Sequence, residues 1–191
     1  MAIHAGRHQF GTDNGRIILR TFRDGLAAQA GHDLTIEAVR WSGELDVAED
    51  LTPVSLTVKI DLGALVVRDG TGGIKPLSDR DKREIAVSAR KVLSADRYPE
   101  ATFSTTRLDH APDGAGGTIE GTLTLAGQSR PERLTVSQPG PGQYKATAKV
   151  RQRDFGIKPY SAFLGSLKVA DEVQVDIELD LSGSSDQEPG S

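Results

Sequence analysis

The segment near the carboxyl end, Val173-Gln-Val-Asp-Ile-Glu-Leu-Asp-Leu181, alternates strictly between aliphatic and polar residues. Because successive side chains of a β-strand point to opposite faces, this segment predicts a strand with one apolar face and one acidic face. Residues 143–151 alternate in the same way, with Lys and Arg on the polar face. Opposite charges on facing strands favour pairing, so we expect these two segments to be neighbours in an antiparallel sheet.

The same alternation recurs along the chain and predicts about nine short strands, separated by Gly, Pro, Asp and Asn. The clearest further segments are 34–38, 41–47, 54–62 and 119–125, and the weaker ones are 16–22, 101–108 and 132–136. Only one face of each strand is apolar. A closed barrel buries that face and leaves no open edge, so we predict an all-β antiparallel barrel of about eight to nine strands.

One segment departs from this period and predicts an amphipathic helix between two strands. Ser78 is a suitable N-cap for a helix that runs to Leu93, and Asp79 and Asp81 suit its positive end. An apolar stripe at helical spacing follows, made of Ile85, Ala89, Val92 and Leu93. We therefore expect this helix to pack with its apolar stripe against the sheet.

Composition limits the classes of function. The chain has 191 residues, and we interpret residues 1–182 as a single domain followed by a disordered Ser/Gly/Asp/Glu/Pro tail at 183–191. The net charge of −4 argues against nucleic-acid binding through bulk charge. The chain has no cysteine, no apolar leader and no apolar run long enough to span a membrane. These observations predict a soluble cytoplasmic protein without stable membrane insertion.

Small residues on the inward faces favour an internal cavity over a fully packed core. Gly43, Gly121, Ala38, Ala146 and Ala148 are predicted to face inward, and aromatic residues are only 5% of the chain. The packed core remains the alternative. The predicted ligand-lining positions are Ile36, Leu45, Leu56, Val58, Ile60, Phe103, Leu123, Leu125, Tyr144, Ala146, Ala148, Val175 and Ile177.

Several segments, taken in order, resemble one known family. They are VSLTVKIDLGAL at 54–65, RD at 80–81, YPEATFS at 98–104, EGTLTLAGQSRPERLTV at 120–136, RDFG at 153–156 and the closing strand 173–181. Together they are similar to motifs of the YceI-like family of lipocalin-like barrels, which bind polyisoprenoids or similar amphipathic lipids. Because the chain has no leader, it resembles a cytoplasmic branch.

The resemblance implies a non-enzymatic function: binding, storage or transport of a polyisoprenoid or other long-chain lipid inside the barrel. It implies no cofactor, and it makes a homodimer a candidate assembly. We interpret His32, Arg68, Lys75 and Lys158 as candidates for contact with a polar head group, because Lys and Arg pair well with phosphate.

Two glycine-containing motifs need a separate interpretation. Residues 69–76, Asp-Gly-Thr-Gly-Gly-Ile-Lys-Pro, superficially resemble a phosphate loop, but Pro76 follows Lys75 where a Ser or Thr is required. We predict a flexible loop there. Gly-Ile-Lys-Pro occurs at 73–76 and again at 156–159, either by chance or because Lys75 and Lys158 lie on two loops at one rim. Tyr160, Phe163 and Leu164 then plug or guard the barrel entrance.

Catalysis is the weaker interpretation. His32 and Asp33 are adjacent, and adjacent residues of a strand point to opposite faces, which is poor geometry for a catalytic pair. No cluster of His and carboxylates has a convincing metal-ligand spacing, so we predict no metal site. Two rivals to the lipid-binding hypothesis stay open: a packed interaction module without a lipid ligand, and an enzyme that uses His32.

Overall fold

The computed structural model describes residues 4–111 and 116–182, so the tail predicted at 183–191 lies outside the described residues. The first seven strands are β1 Gly6–Gly11, β2 Gly15–Thr21, β3 Arg23–Asp24, β4 His32–Ala38, β5 Trp41–Val47, β6 Pro53–Asp61 and β7 Leu65–Gly72. Helix α1 spans Asp79–Val92. The remaining strands are β8 Glu100–His110, β9 Gly116–Leu125, β10 Gln128–Gly140, β11 Gln143–Arg151, β12 Ser161–Ala162, β13 Leu167–Val169 and β14 Glu172–Asp180.

Within the described residues, eleven strands form one curled antiparallel sheet in the order β1-β5-β6-β8-β9-β10-β11-β14-β2-β4-β7. The three short strands form a second sheet in the order β12-β13-β3. The predicted all-β antiparallel barrel class is confirmed. The number of strands is higher than eight or nine, because β1 lies in a polar stretch without clear alternation and three strands are only two or three residues long.

The expectation that no edge would remain open is wrong, since β1 and β7 end the main sheet. Strand β4 pairs with β7, and β5 pairs with β6, although β5 follows β4 and β7 follows β6 along the chain. The chain therefore bends between these two pairs of strands. At this bend Val39 N donates to Ala64 O at 3.0 Å and Asp61 N donates to Arg40 O at 3.0 Å. Helix α1 packs against β7 beside this bend.

The predicted pairing of the acidic and basic segments is confirmed by β14 and β11. Lys145 lies opposite Glu178 in the register, and the Lys145 Nζ is 3.1 Å from a Glu178 carboxylate oxygen. Lys149 forms a second cross-strand ion pair with Glu172 at 2.9 Å. The alternating pattern thus places a charged ladder on the outside and an aliphatic face on the inside of the barrel.

Helix α1 begins and ends as its sequence predicts, within one residue. The Ser78 backbone N donates to Asp81 Oδ2 at 2.9 Å and the Ser78 Oγ accepts from Asp81 N at 3.2 Å, which is a reciprocal capping box. Lys82 Nζ donates to the Arg68 carbonyl of β7 at 3.0 Å. These contacts fix the helix across the barrel, with its apolar stripe turned inward.

The prediction of a flexible loop over residues 69–76 is wrong for its first half. Asp69–Gly72 continue strand β7, where Gly70 pairs with Leu34 and Gly72 with His32. A Cβ at Gly70 would meet the Leu77 side chain, and one at Gly73 would meet the His32 ring. The glycines therefore allow close approach of neighbouring side chains, rather than chain flexibility.

Candidate ligand cavity

The inward faces of the strands and helix α1 enclose an apolar cavity of about 880 Å³. All thirteen positions predicted from the alternation lie on its wall: Ile36, Leu45, Leu56, Val58, Ile60, Phe103, Leu123, Leu125, Tyr144, Ala146, Ala148, Val175 and Ile177. Contact of these residues with a ligand stays a prediction.

The small inward residues have two different environments. Ala146 and Ala148 border the cavity. Gly43 instead lies against the Phe10 ring, and a Cβ on Gly121 would collide with the Phe103 ring. Small inward residues were expected to leave a cavity, but only some of them border it.

Helix α1 supplies wall residues that the predicted lining set did not include. Its members at the cavity are Asp81, Glu84, Ile85, Ser88, Ala89 and Val92, followed by Leu93. Their helical spacing was visible in the sequence, but it showed only that one face is buried and not that this face borders an empty space. Ile17 and Leu19 of β2 also lie on the wall, and the intervening Ile18 hides their alternation.

Few polar groups interrupt this apolar wall. Glu132 of β10 lies on it, and burial, with a smaller effect of nearby Asp154, raises the pKa of its carboxyl group. Burial also raises the pKa of the Tyr144 hydroxyl. Trp41 Nε1 and Thr21 Oγ1 are buried polar atoms of wall residues that find no hydrogen-bond partner in the described structure. An unsatisfied buried donor is costly, so a ligand acceptor or a water at Trp41 Nε1 would stabilise the protein.

The four head-group candidates separate into two pairs. His32 and Lys75 both lie on the cavity wall, and the His32 Nε2 donates to the Lys75 carbonyl at 2.8 Å. Arg68 instead pairs with Glu37 on the outside of the barrel, with Nε 2.5 Å from the carboxylate. Lys158 is exposed and, like Arg68, is not among the wall residues.

The repeated Gly-Ile-Lys-Pro motif does not form a structural repeat. Ile74 is 87% exposed, whereas Ile157 is 4% exposed and packs against Val150 and Phe155. The two segments therefore use the same residues in different environments. This favours the chance interpretation over a matched pair of lysine loops.

The structure separates His32 from Asp33 as expected for neighbours on a strand. The Asp33 carboxylate accepts a hydrogen bond from the Arg23 backbone N at 2.8 Å, while the described His32 ring contact is with a backbone carbonyl. In residues 4–111 and 116–182, no three His, Asp or Glu side chains group in a way that would hold a metal ion. None of the helices described in this part of the chain is long and apolar enough to cross a membrane.

An antiparallel barrel around an apolar cavity, with one helix packed on its edge strand, defines the class as a lipocalin-like barrel. A sequence profile of the YceI-like domain matches residues 25–181, and the chain belongs to this family. No curated protein sequence matches the chain significantly.

Solved structures show the same fold at low sequence identity. The Burkholderia cenocepacia protein BcnA is 16% identical with a TM-score of 0.60, and the match covers 88% of this chain and 97% of BcnA. The Campylobacter jejuni YceI protein is 17% identical with a TM-score of 0.58, covering 75% of this chain and 81% of that one. A mutant of the same Campylobacter protein with a monobromobimane guest has a TM-score of 0.57 at 17% identity, with coverage of 75% and 81%.

Proposed function

We propose that the protein binds a polyisoprenoid or similar long-chain amphipathic lipid inside the barrel, to store or transport it. The observation that carries the proposal is the apolar cavity of about 880 Å³. Ligand sites in proteins have volumes of about 300–1,000 Å³ and are lined mostly by apolar side chains. A wall that is apolar over both the strands and the helix suits an extended hydrocarbon better than a polar metabolite.

Burial of the hydrocarbon supplies the binding energy in this proposal. Each methylene group that leaves water contributes about 0.8 kcal/mol, so ten of them contribute about 8 kcal/mol before the costs of association. Few polar contacts are then needed. His32 and Lys75, which meet at the wall, are the proposed contacts for the polar head.

The first experiment is organic extraction and mass spectrometry of protein purified without detergent. A stoichiometric prenyl or acyl species supports the proposal and identifies the ligand class. An empty extract, followed by no uptake of polyprenyl phosphates, quinones or fatty amides, contradicts it and favours the packed interaction module.

A pair of matched variants tests whether the ligand lies in the cavity. Ala146→Phe places a ring in the cavity, whereas Ser137→Phe places the same ring on the exposed face of β10. Trp41, the only tryptophan of the chain, lies on the wall and reports binding through its fluorescence. We expect Ala146→Phe to weaken binding about tenfold or more and Ser137→Phe to leave it unchanged. Equal effects of both variants would place the ligand elsewhere.

Binding without catalysis is part of the proposal. The described hydrogen bond of the His32 ring joins it to the Lys75 carbonyl rather than to a carboxylate that would orient a general base. A His32→Ala variant that keeps ligand uptake but loses the turnover of a bound lipid would instead support the enzyme interpretation.

Location and assembly complete the proposal. We propose the cytoplasm as the compartment, which subcellular fractionation tests. A homodimer rests on the family resemblance. Light scattering of the purified protein at several concentrations measures the mass in solution and decides between monomer and dimer.

A further inference from the structure

Four large apolar side chains are exposed on three loops at one end of the barrel. Leu26 is 101% exposed, Ile74 87%, Phe163 72% and Leu164 108%. Single exposed apolar residues are common, but several on adjoining loops mark a surface that contacts another apolar phase. We call these four residues the apolar rim.

Backbone and side-chain contacts hold the three loops together. The Ala27 N donates to Ser166 O at 2.8 Å, which joins the loop of Leu26 to the loop of Phe163 and Leu164. The hydrogen bond between His32 Nε2 and the Lys75 carbonyl joins the loop of Ile74 to the start of β4. The apolar rim is therefore one region of the surface, although its members are distant in sequence.

The apolar rim lies next to the cavity wall. Gly31, His32, Lys75 and Leu167, which lie on or beside the same three loops, are all residues of the cavity wall. Gly31 packs closely against the Leu167 side chain, and the Arg23 guanidinium donates to the Gly31 carbonyl at 3.1 Å. The loops that carry the apolar rim thus also contribute residues to the cavity wall.

The local backbone of the rim is strained in a way that exposes its side chains. Phe163 has φ of 50° and Leu164 has φ of 56°, and Gly165 follows at 86°. Left-handed conformations are uncommon for residues with a Cβ. Here the strained backbone presents two large apolar side chains to solvent.

Basic residues flank the apolar rim. Lys75 follows Ile74, and Lys168 of β13 is an exposed residue that also reaches the cavity wall. Exposed Lys158 precedes Tyr160, whose carbonyl accepts from Val169 N of β13 at 3.0 Å. Asp24 and Asp81 are acidic neighbours: the Asp24 carboxylate accepts from Gly25 N, and Asp81 lies near Lys75 and on the cavity wall. Apolar side chains beside several lysines are the composition of surfaces that bind the interface of anionic lipid layers.

We propose that the apolar rim docks on an anionic lipid surface, so that a lipid passes between that surface and the cavity without crossing water. The passage of lipid rests on the function proposed above, whereas the docking itself does not.

Vesicle flotation tests the docking. We expect the wild-type protein to float with phosphatidylcholine vesicles that contain phosphatidylglycerol, and less with phosphatidylcholine alone. The variant with Leu26→Ser, Ile74→Ser, Phe163→Ser and Leu164→Ser is expected to lose binding about tenfold or more. The control variant Val54→Ser/Val87→Ser changes exposed apolar residues that are not part of the cavity wall, and it should bind as wild type. Circular dichroism checks that both variants keep the fold.

Three outcomes overturn the proposal: no flotation of the wild type, equal flotation of the rim variant, or an equal loss in the control variant. A wild-type dimer that becomes monomeric in the rim variant, without flotation of either, assigns the surface to a second copy of the chain instead.

Ligand delivery separates this proposal from the proposed function. A lipid probe supplied from cyclodextrin should bind the rim variant and the wild type with equal affinity, while transfer from vesicles should be slower for the rim variant. Flotation without any uptake of the probe contradicts the lipid-carrying function and leaves the docking intact. Uptake without flotation contradicts the docking alone.

Discussion

The small inward residues of the barrel have two kinds of surroundings. At Ala146 and Ala148 on β11 the wall faces the cavity. At Gly43 and Gly121 aromatic rings occupy the space that a side chain would take. The difference shows that a small residue predicts a cavity only when no large side chain from another strand reaches over it.

Ring packing explains the filled part. Phe10 of β1 lies on Gly43 of β5, and its ring meets Trp41 edge to face with the centroids 6.0 Å apart. Phe103 of β8 lies over Gly121 of β9. Phe10, Trp41 and Phe103 also border the cavity, so the positions of these rings decide where its wall lies.

The largest expected effect is loss of the ring that covers Gly121. Phe103→Ala should lower the free energy of unfolding by about 3–5 kcal/mol, because it removes a ring that is 9% exposed and leaves a hole over Gly121. Ile177→Ala should cost less, about 2 kcal/mol, because Ile177 is only partly buried and has a smaller side chain, although both residues border the cavity. Urea unfolding measures both. Equal losses would show that the two side chains are packed alike.

Added volume should also destabilise the protein more at a filled position than at one that faces the cavity. Gly121→Ala places a Cβ 2.5 Å from the Ser104 carbonyl oxygen, a backbone atom that cannot turn aside, and should cost about 1–3 kcal/mol. Ala146→Val adds volume toward the cavity and should change the stability by less than about 1 kcal/mol. Thermal unfolding followed by circular dichroism compares the pair. A destabilised Ala146→Val variant would mean that the cavity is smaller than described.

The pH dependence of stability should show the effect of burying the Glu132 carboxyl group. Because burial raises the folded-state pKa of Glu132, the native state holds this proton more tightly, and the protein loses stability as the pH rises from the unfolded pKa through the folded one. Glu132→Gln removes this loss, so its Tm relative to wild type should increase from acid to neutral pH. Glu120→Gln, on the outer face beside Arg133, is the control. A Tm difference that does not vary with pH would contradict the effect of burial.

The smallest effect is expected on the outer face. Hydrogen bonds from Arg16 and Lys145 lower the pKa of Glu178, so this carboxylate stabilises the fold above its unfolded pKa and stops doing so as the pH falls through its folded one. Glu178→Gln should cost less than about 1 kcal/mol at neutral pH, and less still in high salt. Urea titrations at two salt concentrations measure it. A larger, salt-independent cost would show that the outer ladder contributes more than a solvent-exposed ion pair.

Alternation was sufficient to predict the barrel class and the inward set of side chains, because both follow from the two-residue period of a strand. The opposite charges on the two polar faces predicted the pairing of β11 with β14. It did not predict how the rings of Phe10 and Phe103 fill the interior, because that depends on neighbours across the sheet. The ion pair of Arg68 could not be predicted for a related reason. Its position on a strand does not reveal that Glu37 on the adjacent strand pairs with it.

Helix α1 also has a consequence for the behaviour of the chain in concentrated solution. Strand β7 ends the main sheet, and an exposed strand edge is a template on which another molecule adds its own strand. The helix packs beside this edge, and Lys82 Nζ donates a hydrogen bond to the Arg68 carbonyl of β7. We therefore expect variants that lose the capping box at Ser78 to self-associate more readily in concentrated solution.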